Sequence, residues 1–393
     1  MDSYQQLFLK SGKEKSLLRK HPWVFSGALQ KEIKQIEEGS IVKITDSKGE
    51  YVATGYVQHG SIAVRILSFE DEIIDQEFWT KTIEKSWLFR QSLGFPNTKT
   101  NCFRLFHGEG DGVSGLIIDY YNGTAVIQCH TSGILAQLDN IVEALKLVLK
   151  KNLKAIYNKS KETMHGAING LENGLLFGTL EQDIVKENGV SFHVDWKNGQ
   201  KTGFFLDQRD NRALLGRYAK GKDVLNTFSY TGGFSVYAMM NGANSIDSID
   251  VSKNAIEVLN KNMLLNNESA TNFESIAKDT FSFFKESEKE YDIVILDPPA
   301  FAKNIGAKHN ALMGYKRLNI EGLKKVKKGG LLFTFSCSQV LDSLTFSQII
   351  MSAAIESGRE IKIINRLTQG ADHPVNIYHP EGEYLKGLVL MVN

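Results

Sequence analysis

Residues 191–393 alternate apolar, strand-like runs with helical patterns, and this rhythm constrains the fold more than any other feature of the chain. The strand-like runs are DVLNTF (223–228), SIDSID (245–250), FESIAKD (273–279), YDIVILD (291–297), GGLLFTFSC (329–337), IKIINRL (361–367) and LKGLVLMV (385–392). Continuous apolar strands joined by helical crossovers are typical of a parallel sheet that helices cover on both faces. We therefore expect an α/β domain over 191–393, with its ligand site at the carboxyl ends of the strands.

Residues 1–75 are predicted to form a separate, barrel-like β module. Three short runs rich in β-branched residues occupy 41–46, 51–57 and 62–68, and turns that contain glycine separate them. Short strands punctuated in this way are typical of a small antiparallel barrel.

A basic segment precedes those strands. Residues 10–34 hold seven basic and two acidic side chains, a local net charge of +5 in a chain whose total is +1. Aromatic residues interleave with the basic ones, and such a mixture can follow a phosphate backbone and stack on bases. Lys20 and Trp23 are therefore candidate RNA contacts. The alternative is a solvated charged stretch with Trp23 in the core.

Residues 76–190 are predicted to form a small α+β domain. An amphipathic helical pattern begins the segment, and two apolar runs further on flank Asn122-Gly123, the strongest short signal for a β-hairpin. Glu109 and Asp111 lie in a glycine-rich turn. We interpret these two carboxylates as turn residues rather than as acid–base catalysts.

Charge and cysteine usage exclude several classes of protein. Lys+Arg (46) and Asp+Glu (45) nearly balance, so a nucleic acid must be bound by a local patch and not by a uniformly basic surface. Cys102, Cys129 and Cys337 are irregularly spaced and include no CxxC pair, so we expect neither a disulfide framework nor a metal site. No apolar run reaches ~18 residues, and the N-terminus lacks the apolar core of a signal peptide. We expect no membrane association and a cytoplasmic location.

The loop after the first strand of the α/β domain, Asn226–Phe234, is a candidate cofactor loop. Its adjacent Gly232 and Gly233 let a ligand approach the backbone closely. The pattern is not GxGxxG, which disfavours a dinucleotide. Read alone, a Gly-Gly turn is weak evidence for any ligand.

Acidic residues end the next two strands. Asp250 follows the glycine turn by roughly 20 residues, the spacing at which a carboxylate accepts hydrogen bonds from ribose hydroxyls. The alternative is that Asp250 or Ser252 caps the following helix. Asp279 ends the third strand, and there an adenine contact and a helix cap are both compatible with the sequence.

The fourth and fifth strands end in the residues with the most chemistry. Asp297 is followed by Pro298-Pro299, and two prolines cannot continue a strand ladder, so they fix a rigid exit from the sheet. Cys337 ends the neighbouring strand. At such a place a reactive thiol is favoured over an inert, buried one.

Long motifs resemble the bacterial RlmI family of 23S rRNA cytosine-5 methyltransferases, which are class I S-adenosylmethionine-dependent enzymes. The motifs are GQKTGFFLDQRDNR (199–212), LNTFSYTGGFSVYA (225–238), DPPAF (297–301), FSCS (335–338) and ADHP…EGEYLKGL (371–388). In addition, RKHPWVFSGAL (19–29) is similar to the start of that family's PUA RNA-binding module. The resemblance implies a PUA-like barrel over 1–75, a central α+β domain over 76–190 and a Rossmann-like methyltransferase sheet over 191–393.

The resemblance also implies roles for individual residues. Cys337 would attack C6 of the target cytosine, and Asp297 would stabilise charge on the ring. The implied cofactor contacts are Gln208, Arg209, Asn226, Phe228, Ser229, Thr231, Gly232, Gly233, Asp250, Asp279 and Asp297. The implied RNA contacts are Lys20, Trp23, Pro298, Pro299 and Phe301. For Gln208 and Arg209 the methionine carboxylate and an RNA phosphate both remain open, and Phe301 either stacks on the flipped base or anchors its loop in the core.

Two other functions remain open from the sequence. Asp-Pro-Pro-aromatic motifs also occur in enzymes that methylate exocyclic amines of purines, although that chemistry needs no Cys337. A non-catalytic RNA-binding assembly factor is the second alternative, which the intact set of Asp250, Asp297 and Cys337 disfavours. The expected partner is rRNA of the large-subunit precursor. The sequence is compatible with a homodimer and does not fix the oligomeric state, the target nucleotide or the base that removes the C5 proton.

Overall fold

The computed structural model describes residues 4–164, 171–180, 183–302, 306 and 308–393. Its chain forms two compact units. The first contains 1–183, 194–206 and 371–382, and the second contains 184–193, 207–370 and 383–393. Among the described residues, no helix combines the length and the apolar character that crossing a bilayer requires.

The first unit contains two five-stranded sheets. Its elements are β1 (Gln5–Phe8), α1 (Lys15–Leu18), β2 (Trp23–Phe25), β3 (Ile41–Thr45), β4 (Tyr51–Val57), β5 (Ile62–Ser68), α2 (Gln76–Ser92), β6 (Cys102–His107), β7 (Leu116–Tyr121), β8 (Thr124–Cys129), α3 (Ser132–Leu135), α4 (Leu138–Leu149), β9 (Ala155–Asn158) and β10 (Gly174–Gly178). The N-terminal sheet has the order β1-β3-β4-β5-β2, and it includes the three strands predicted from the sequence. In the second sheet, ordered β10-β9-β8-β7-β6, the predicted hairpin at Asn122-Gly123 is confirmed, since Tyr121 pairs with Thr124.

A buried ion pair lies at the centre of the first unit. The Arg90 side chain on α2 is 0% exposed and forms a forked pair with Asp111, with 2.7 Å between Nη2 and Oδ2. The same guanidinium donates to the carbonyl oxygens of Arg104 at 2.8 Å and Asp372 at 2.7 Å. Asp111 is thus more than a turn residue, because its carboxylate neutralises a buried cation.

The second unit is built on a seven-stranded sheet. Its elements are β11 (Ile184–Glu187), β12 (Val190–His193), α5 (Arg209–Tyr218), β13 (Asp223–Thr227), α6 (Gly233–Met240), β14 (Ser245–Asp250), α7 (Lys253–Asn266), β15 (Phe273–Ala277), α8 (Thr280–Glu286), β16 (Tyr291–Leu296), α9 (Lys308–Lys324), β17 (Val326–Ser336), α10 (Ser343–Ser357), β18 (Ile361–Leu367) and β19 (Lys386–Val392). The strand order is β15-β14-β13-β16-β17-β19-β18. Helices α5, α6 and α7 pack side by side, as do α8, α9 and α10.

One strand departs from the expected parallel sheet. The pairs β13–β14, β13–β16, β14–β15 and β16–β17 are parallel, whereas β19 runs antiparallel to both β17 and β18. An antiparallel neighbour needs only a loop, while a parallel one needs a crossover of a dozen or more residues. The chain after β18 supplies no helical crossover of that kind, so it returns between β17 and β18 in the opposite direction.

We predict that Arg90→Met strongly destabilises the protein. The substitution leaves the Asp111 carboxylate buried without its cation, and breaking a buried pair in this way costs about 3–5 kcal/mol. Lys81→Met is the matched control on the same helix, because Lys81 forms an exposed pair with Glu77 whose loss should leave the urea midpoint nearly unchanged. Urea unfolding of the three proteins measures both effects. Equal midpoints for the two variants would contradict the assigned role of Arg90.

Candidate functional site

The candidate site lies at the carboxyl edge of the second unit's sheet. Since β13, β14, β15, β16 and β17 are mutually parallel, the residues that follow them share this edge. The sequence-predicted residues that follow β13, β14, β16 and β17 are Phe228, Asp250, Asp297 and Cys337 respectively, with Asp250 itself the last residue of its strand. The structure therefore brings these four positions to one side of the sheet.

The loop after β13 has unusual backbone geometry. Phe228 and Tyr230 adopt the left-handed region, with φ of 54° and 48°, and so does Gly232, with φ of 83°. Residues other than glycine reach this region at a cost of order 1–3 kcal/mol, and such strain concentrates at functional sites. The loop is held in place by Ser229, whose N–H donates to the carbonyl oxygen of Ile249 at 2.9 Å.

The two glycines of this loop are required by packing. A Cβ built on Gly232 would lie 2.5 Å from Cγ of Leu259 on α7. A Cβ on Gly233 would lie 2.9 Å from Cδ of Arg212 on α5. The close approach of a cofactor is one reason for the two glycines. The structure adds a second reason, which is that α6 begins tightly against its two neighbouring helices.

Asp250 is oriented by backbone donors. Its Oδ2 accepts from the N–H of Tyr230 and its Oδ1 from the N–H of Ser252, both at 2.8 Å. The helix cap is Ser252, whose hydroxyl oxygen accepts from the N–H of Ala255 at 3.2 Å. Each carboxylate oxygen has a further lone pair. Asp250 can therefore accept hydrogen bonds from a ligand while it stays fixed in direction.

Buried polar atoms without a hydrogen-bond partner cluster near the same loop. Within the described part of the chain they include Oδ1 of Asn226, Oγ of Ser229 and Oγ1 of Thr231. Leaving such a group unsatisfied costs about 1–3 kcal/mol. A polar ligand at this strand end would supply the missing partners.

Asp279 behaves as a helix cap in the structure. Its side chain is exposed, and Oδ1 accepts from the N–H of Ser282 at 2.9 Å and from its hydroxyl at 3.1 Å. The capping interpretation is thus observed, and an adenine contact would have to use the remaining lone pairs of the carboxylate.

Asp297 is held by a short relay of amides. Its Oδ2 accepts from Nε2 of Gln208 at 3.0 Å, and Oε1 of Gln208 accepts from Nδ2 of Asn211 at 2.6 Å. Burial raises the pKa of Asp297 to about 7, and the Asp207 carboxylate acts in the same direction. At neutral pH this carboxyl is therefore close to half protonated.

The arginines near Gln208 are buried. Arg212 forms a forked ion pair with Glu187, at 2.8 and 2.7 Å, in which both side chains are nearly inaccessible. Arg209 is 2% exposed, with its Nε 3.9 Å from Oδ1 of Asp210. Of the predicted pair Gln208 and Arg209, Gln208 has a described contact in the site, which is its hydrogen bond to the Asp297 carboxylate.

The loop after Asp297 is anchored in the core. Pro298 is buried and Pro299 is exposed. The Phe301 ring lies 4.5 Å from the Tyr315 ring on α9, centroid to centroid, and packs against the hydrophobic core of this unit. Of the two roles expected for Phe301, the structure contains the anchoring one.

Cys337 is the accessible cysteine. It is partly exposed, whereas Cys102 and Cys129 are buried. Leu296 of β16 pairs with Thr334 of β17, so that the Asp297 and Cys337 positions follow neighbouring strands.

Sequence reasoning missed Lys386, which lies beside the turn that carries Cys337. Its side chain is 4% exposed and its Nζ donates to the carbonyl oxygen of Ser338 at 2.8 Å. The signal was present in the sequence, since a lysine at the start of the apolar run LKGLVLMV is unusual for a buried strand.

Two of the five predicted RNA contacts, Lys20 and Trp23, belong to the first unit. Trp23 is half-buried, and its Nε1 donates to Oε1 of Glu109 at 3.1 Å and to Oγ of Ser114 at 2.9 Å. Lys20 is exposed, with its ammonium 4.6 Å from the centre of the Phe69 ring. The indole N–H is thus engaged within the protein, while the Lys20 charge faces solvent.

We predict that Asp297→Asn changes how stability depends on pH. The folded carboxyl, with a pKa of about 7, binds its proton more tightly than the unfolded one, with a pKa of about 3.9. Its stabilising contribution is complete below the unfolded pKa and is lost as the pH rises to 7. The wild type should therefore lose up to about 4 kcal/mol more than Asp297→Asn between pH 4 and pH 8. Urea titrations across this range measure the difference, and a constant difference would contradict the raised pKa.

Two family models match the chain. A PUA-like domain matches residues 7–69. An S-adenosylmethionine-dependent methyltransferase family matches residues 170–374, which is more than half of the chain.

Curated relatives and solved structures are similar over nearly the whole length. A ribosomal RNA large subunit methyltransferase I of Alteromonas mediterranea is 41% identical over 395 residues, and the alignment covers 98% of each chain. Its counterpart in Escherichia coli O157:H7 is 36% identical, over 98% of this chain and 99% of the relative.

Among solved structures, one assigned as a SAM-dependent methyltransferase of Streptococcus mutans has a TM-score of 0.85 and 25% identity, covering 98% of this chain and 100% of that one. Another, solved in complex with SAH, has a TM-score of 0.86 at the same identity and coverage. The chain therefore belongs to the ribosomal RNA large subunit methyltransferase I family, and in its sequence a PUA-like domain precedes an S-adenosylmethionine-dependent methyltransferase domain.

Proposed function

We propose that this protein transfers a methyl group from S-adenosylmethionine to C5 of a cytosine in large-subunit 23S rRNA through a covalent Cys337 adduct. The observation that carries the proposal is the partly exposed Cys337 thiol, which follows β17 directly beside the strand that ends in Asp297-Pro298-Pro299. The names of the curated relatives support rRNA of the large subunit as the substrate. Methylation of an exocyclic amine would leave this thiol without a role.

S-adenosylmethionine fits the polar groups of the carboxyl edge. The unpartnered buried oxygens of Asn226, Ser229 and Thr231 match its amino, carboxylate and hydroxyl groups, and Asp250 is fixed as an acceptor for ribose hydroxyls. Remaining candidate contacts are Gln208, Arg209, Phe228, Gly232, Gly233 and Asp279. When bound, the cofactor supplies a methyl group on a sulfonium centre.

A thiolate is needed because C5 of cytosine is a poor nucleophile. The Cys337 sulfur forms a bond to C6, and the electron pair of the C5–C6 double bond moves onto the ring. C5 thereby becomes nucleophilic and takes the methyl group. Loss of the C5 proton to a base then restores the double bond and expels the thiolate. Covalent catalysis of this kind replaces one difficult step with two easier ones. The target base must leave its stack to reach the crevice.

Asp297 is the proposed electrophilic partner in this step. Attack at C6 places negative charge on the ring, and a carboxyl that carries a proton near neutral pH can donate a hydrogen bond to N3 of the cytosine. The pKa of about 7 makes the protonated form available. The amide of Gln208, which donates to Oδ2, holds the carboxyl in one orientation.

RNA contacts outside the crevice are assigned to the N-terminal module. We propose that residues 1–75 bind the RNA backbone, that 76–190 form the central domain and that 191–393 form the catalytic domain. The exposed Lys20 and the half-buried Trp23 ring support the first assignment. Pro298 and Pro299 are proposed to contact the target base, while Phe301, packed against Tyr315, anchors their loop. An enzyme that acts on rRNA is expected in the cytoplasm. A homodimer is compatible with the sequence and is kept as an expectation for the oligomeric state.

We predict that RNA with 5-fluorocytidine at the target site traps the enzyme through Cys337. After methyl transfer the fluorine at C5 cannot leave as a proton does, so the bond between sulfur and C6 persists. The adduct should require S-adenosylmethionine and should disappear in Cys337→Ala. Denaturing gel electrophoresis followed by peptide mass spectrometry identifies the adduct and its site.

The other two cysteines provide the controls for the trapping experiment. Cys102→Ala and Cys129→Ala should still trap, because both thiols are buried in the first unit. Cys337→Ala should lose methylation by many orders of magnitude while cofactor affinity stays nearly unchanged. A Cys337→Ala enzyme that methylates at a near-normal rate would overturn the covalent mechanism and favour amine methylation through Asp297.

We predict that Asp250→Ala weakens S-adenosylmethionine binding by about 1–3 kcal/mol, the scale of a charge-assisted hydrogen bond. Calorimetric titration measures the loss. Asp75→Ala is the matched control, since its exposed carboxylate caps α2 in the first unit and is not a candidate cofactor contact. The ribose assignment fails if Asp250→Ala binds the cofactor as tightly as the wild type and keeps its fold by circular dichroism.

A further inference from the structure

A buried lysine stands next to the proposed nucleophile without an evident structural need for its charge. Lys386 begins β19 and pairs with Ser336, the last residue of β17. Its side chain is 4% exposed, and its Nζ donates to the carbonyl oxygen of Ser338 at 2.8 Å. The ammonium therefore lies beside the short turn Ser336–Cys337–Ser338.

The turn itself is firmly held. The hydroxyl of Ser338 donates to the carbonyl oxygen of Ala302 at 2.8 Å, which ties the turn to the loop after β16. A lysine is not needed for this bond. A neutral donor at position 386 would close the turn equally well, and burying an ammonium carries a desolvation cost that a single carbonyl does not offset.

The charges around Lys386 single out Cys337. Burial lowers the pKa of Lys386, and the groups that act in the opposite direction are Cys337 first, then Glu383 and Asp342. Both of these carboxylates are exposed, and Asp342 caps α10. From α9, Tyr315 also faces the thiol, and its pKa of about 12 keeps the phenol neutral at physiological pH.

We propose that Lys386 is a positioning residue whose buried ammonium holds Cys337 as a thiolate. This inference rests on the proposed nucleophilic role of Cys337 and extends it. On ionisation the thiol proton passes to solvent and Lys386 keeps its own proton, so that a neutral pair of opposite charges replaces one buried cation. An ammonium has three donors, of which one is engaged with Ser338, so others remain for the sulfur.

The ion pair accounts for how a thiol in this crevice becomes reactive. The thiolate is the nucleophilic form, and an ordinary cysteine with a pKa of about 8.5 is mostly protonated at neutral pH. Neighbouring lysine side chains lower that value. Because the ammonium of this pair is buried, added salt should weaken the pair less than it weakens a pair between two exposed groups.

Alkylation of Cys337 by iodoacetamide as a function of pH tests the proposal without any methylation assay. Quantitative peptide mass spectrometry follows Cys337 in the wild type, in Lys386→Met and in Lys386→Arg, with Cys337→Ala as the background. The wild-type rate should rise with a midpoint below about 8.5. Lys386→Met should move the midpoint up by about one pH unit or more and slow alkylation at pH 7 about ten-fold.

Two further variants separate charge from packing. Lys386→Arg keeps the positive charge and should retain the low midpoint, whereas a purely structural role predicts no such rescue. Lys362→Met, on neighbouring β18, removes an exposed lysine and should leave the profile unchanged. Cofactor binding by calorimetry checks that each variant is folded.

The results decide the proposal even if a variant does not fold. A wild-type midpoint at or above about 8.5 overturns it by itself, as does a profile that is the same in wild type and Lys386→Met. The outcome is also distinct from that of the proposed function. If methylation requires Cys337 but the alkylation profile of Cys337 is the same in Lys386→Met, only the proposed role of Lys386 is overturned. If the wild-type midpoint is low but Cys337→Ala still methylates, only the covalent mechanism is overturned.

Discussion

The parallel pairing of β13 with a strand on each side is the constraint on which the rest of the site depends. Its neighbours β14 and β16 lead the chain outward in opposite directions, toward β15 on one side and β17 on the other. A crevice forms outside the carboxyl ends of the strands at such a reversal. The loop of Phe228 and Tyr230, the carboxylate of Asp250 and the Asp297-Pro298-Pro299 turn all border it because each follows one of these strands.

The energetic cost of this arrangement is concentrated at the same edge. Two residues other than glycine take left-handed backbone conformations there, and several polar atoms lack partners within the described chain. Two ionisable groups also lie there, the partly buried Asp297 and the buried Lys386. Each feature disfavours folding on its own. The unit tolerates them because the strands beneath are buried on both faces and supply its stability.

Much of the fold follows from local pattern. The apolar runs of the second unit and their helical intervals predict the sheet, and Asn122-Gly123 predicts its hairpin, because a two-residue turn with both residues at positive φ favours this pair. The antiparallel course of β19 was not predictable in this way. The direction of a strand depends on where in the sheet the returning chain finds strands to pair with, here between β17 and β18. A single run of apolar residues carries no information about that.

The site was predictable in position and less so in its contacts. Asp250, Asp297 and Cys337 were found because strand ends are where such sheets bind ligands. The Gln208–Asp297 hydrogen bond joins residues 89 positions apart, and Lys386 reaches Ser338 across 48 positions. Such pairs depend on the register of non-adjacent segments. The buried Arg90–Asp111 pair was missed for the same reason, and Asp111 was interpreted as a turn residue.

The proposed mechanism places opposite demands on two neighbouring groups, since Cys337 must lose a proton while Asp297 keeps one. Burial raises the pKa of Asp297 to about 7, and an ordinary thiol ionises only at a higher pH, where such a carboxyl has lost most of its proton. A buried ammonium beside Cys337 favours the thiolate, which widens the pH range in which the thiolate and the protonated carboxyl coexist. More competent enzyme thus follows from one buried charge, without any new contact to the substrate. This gain is a reason for a chain to keep a lysine in a strand where a smaller polar residue would pack at lower cost.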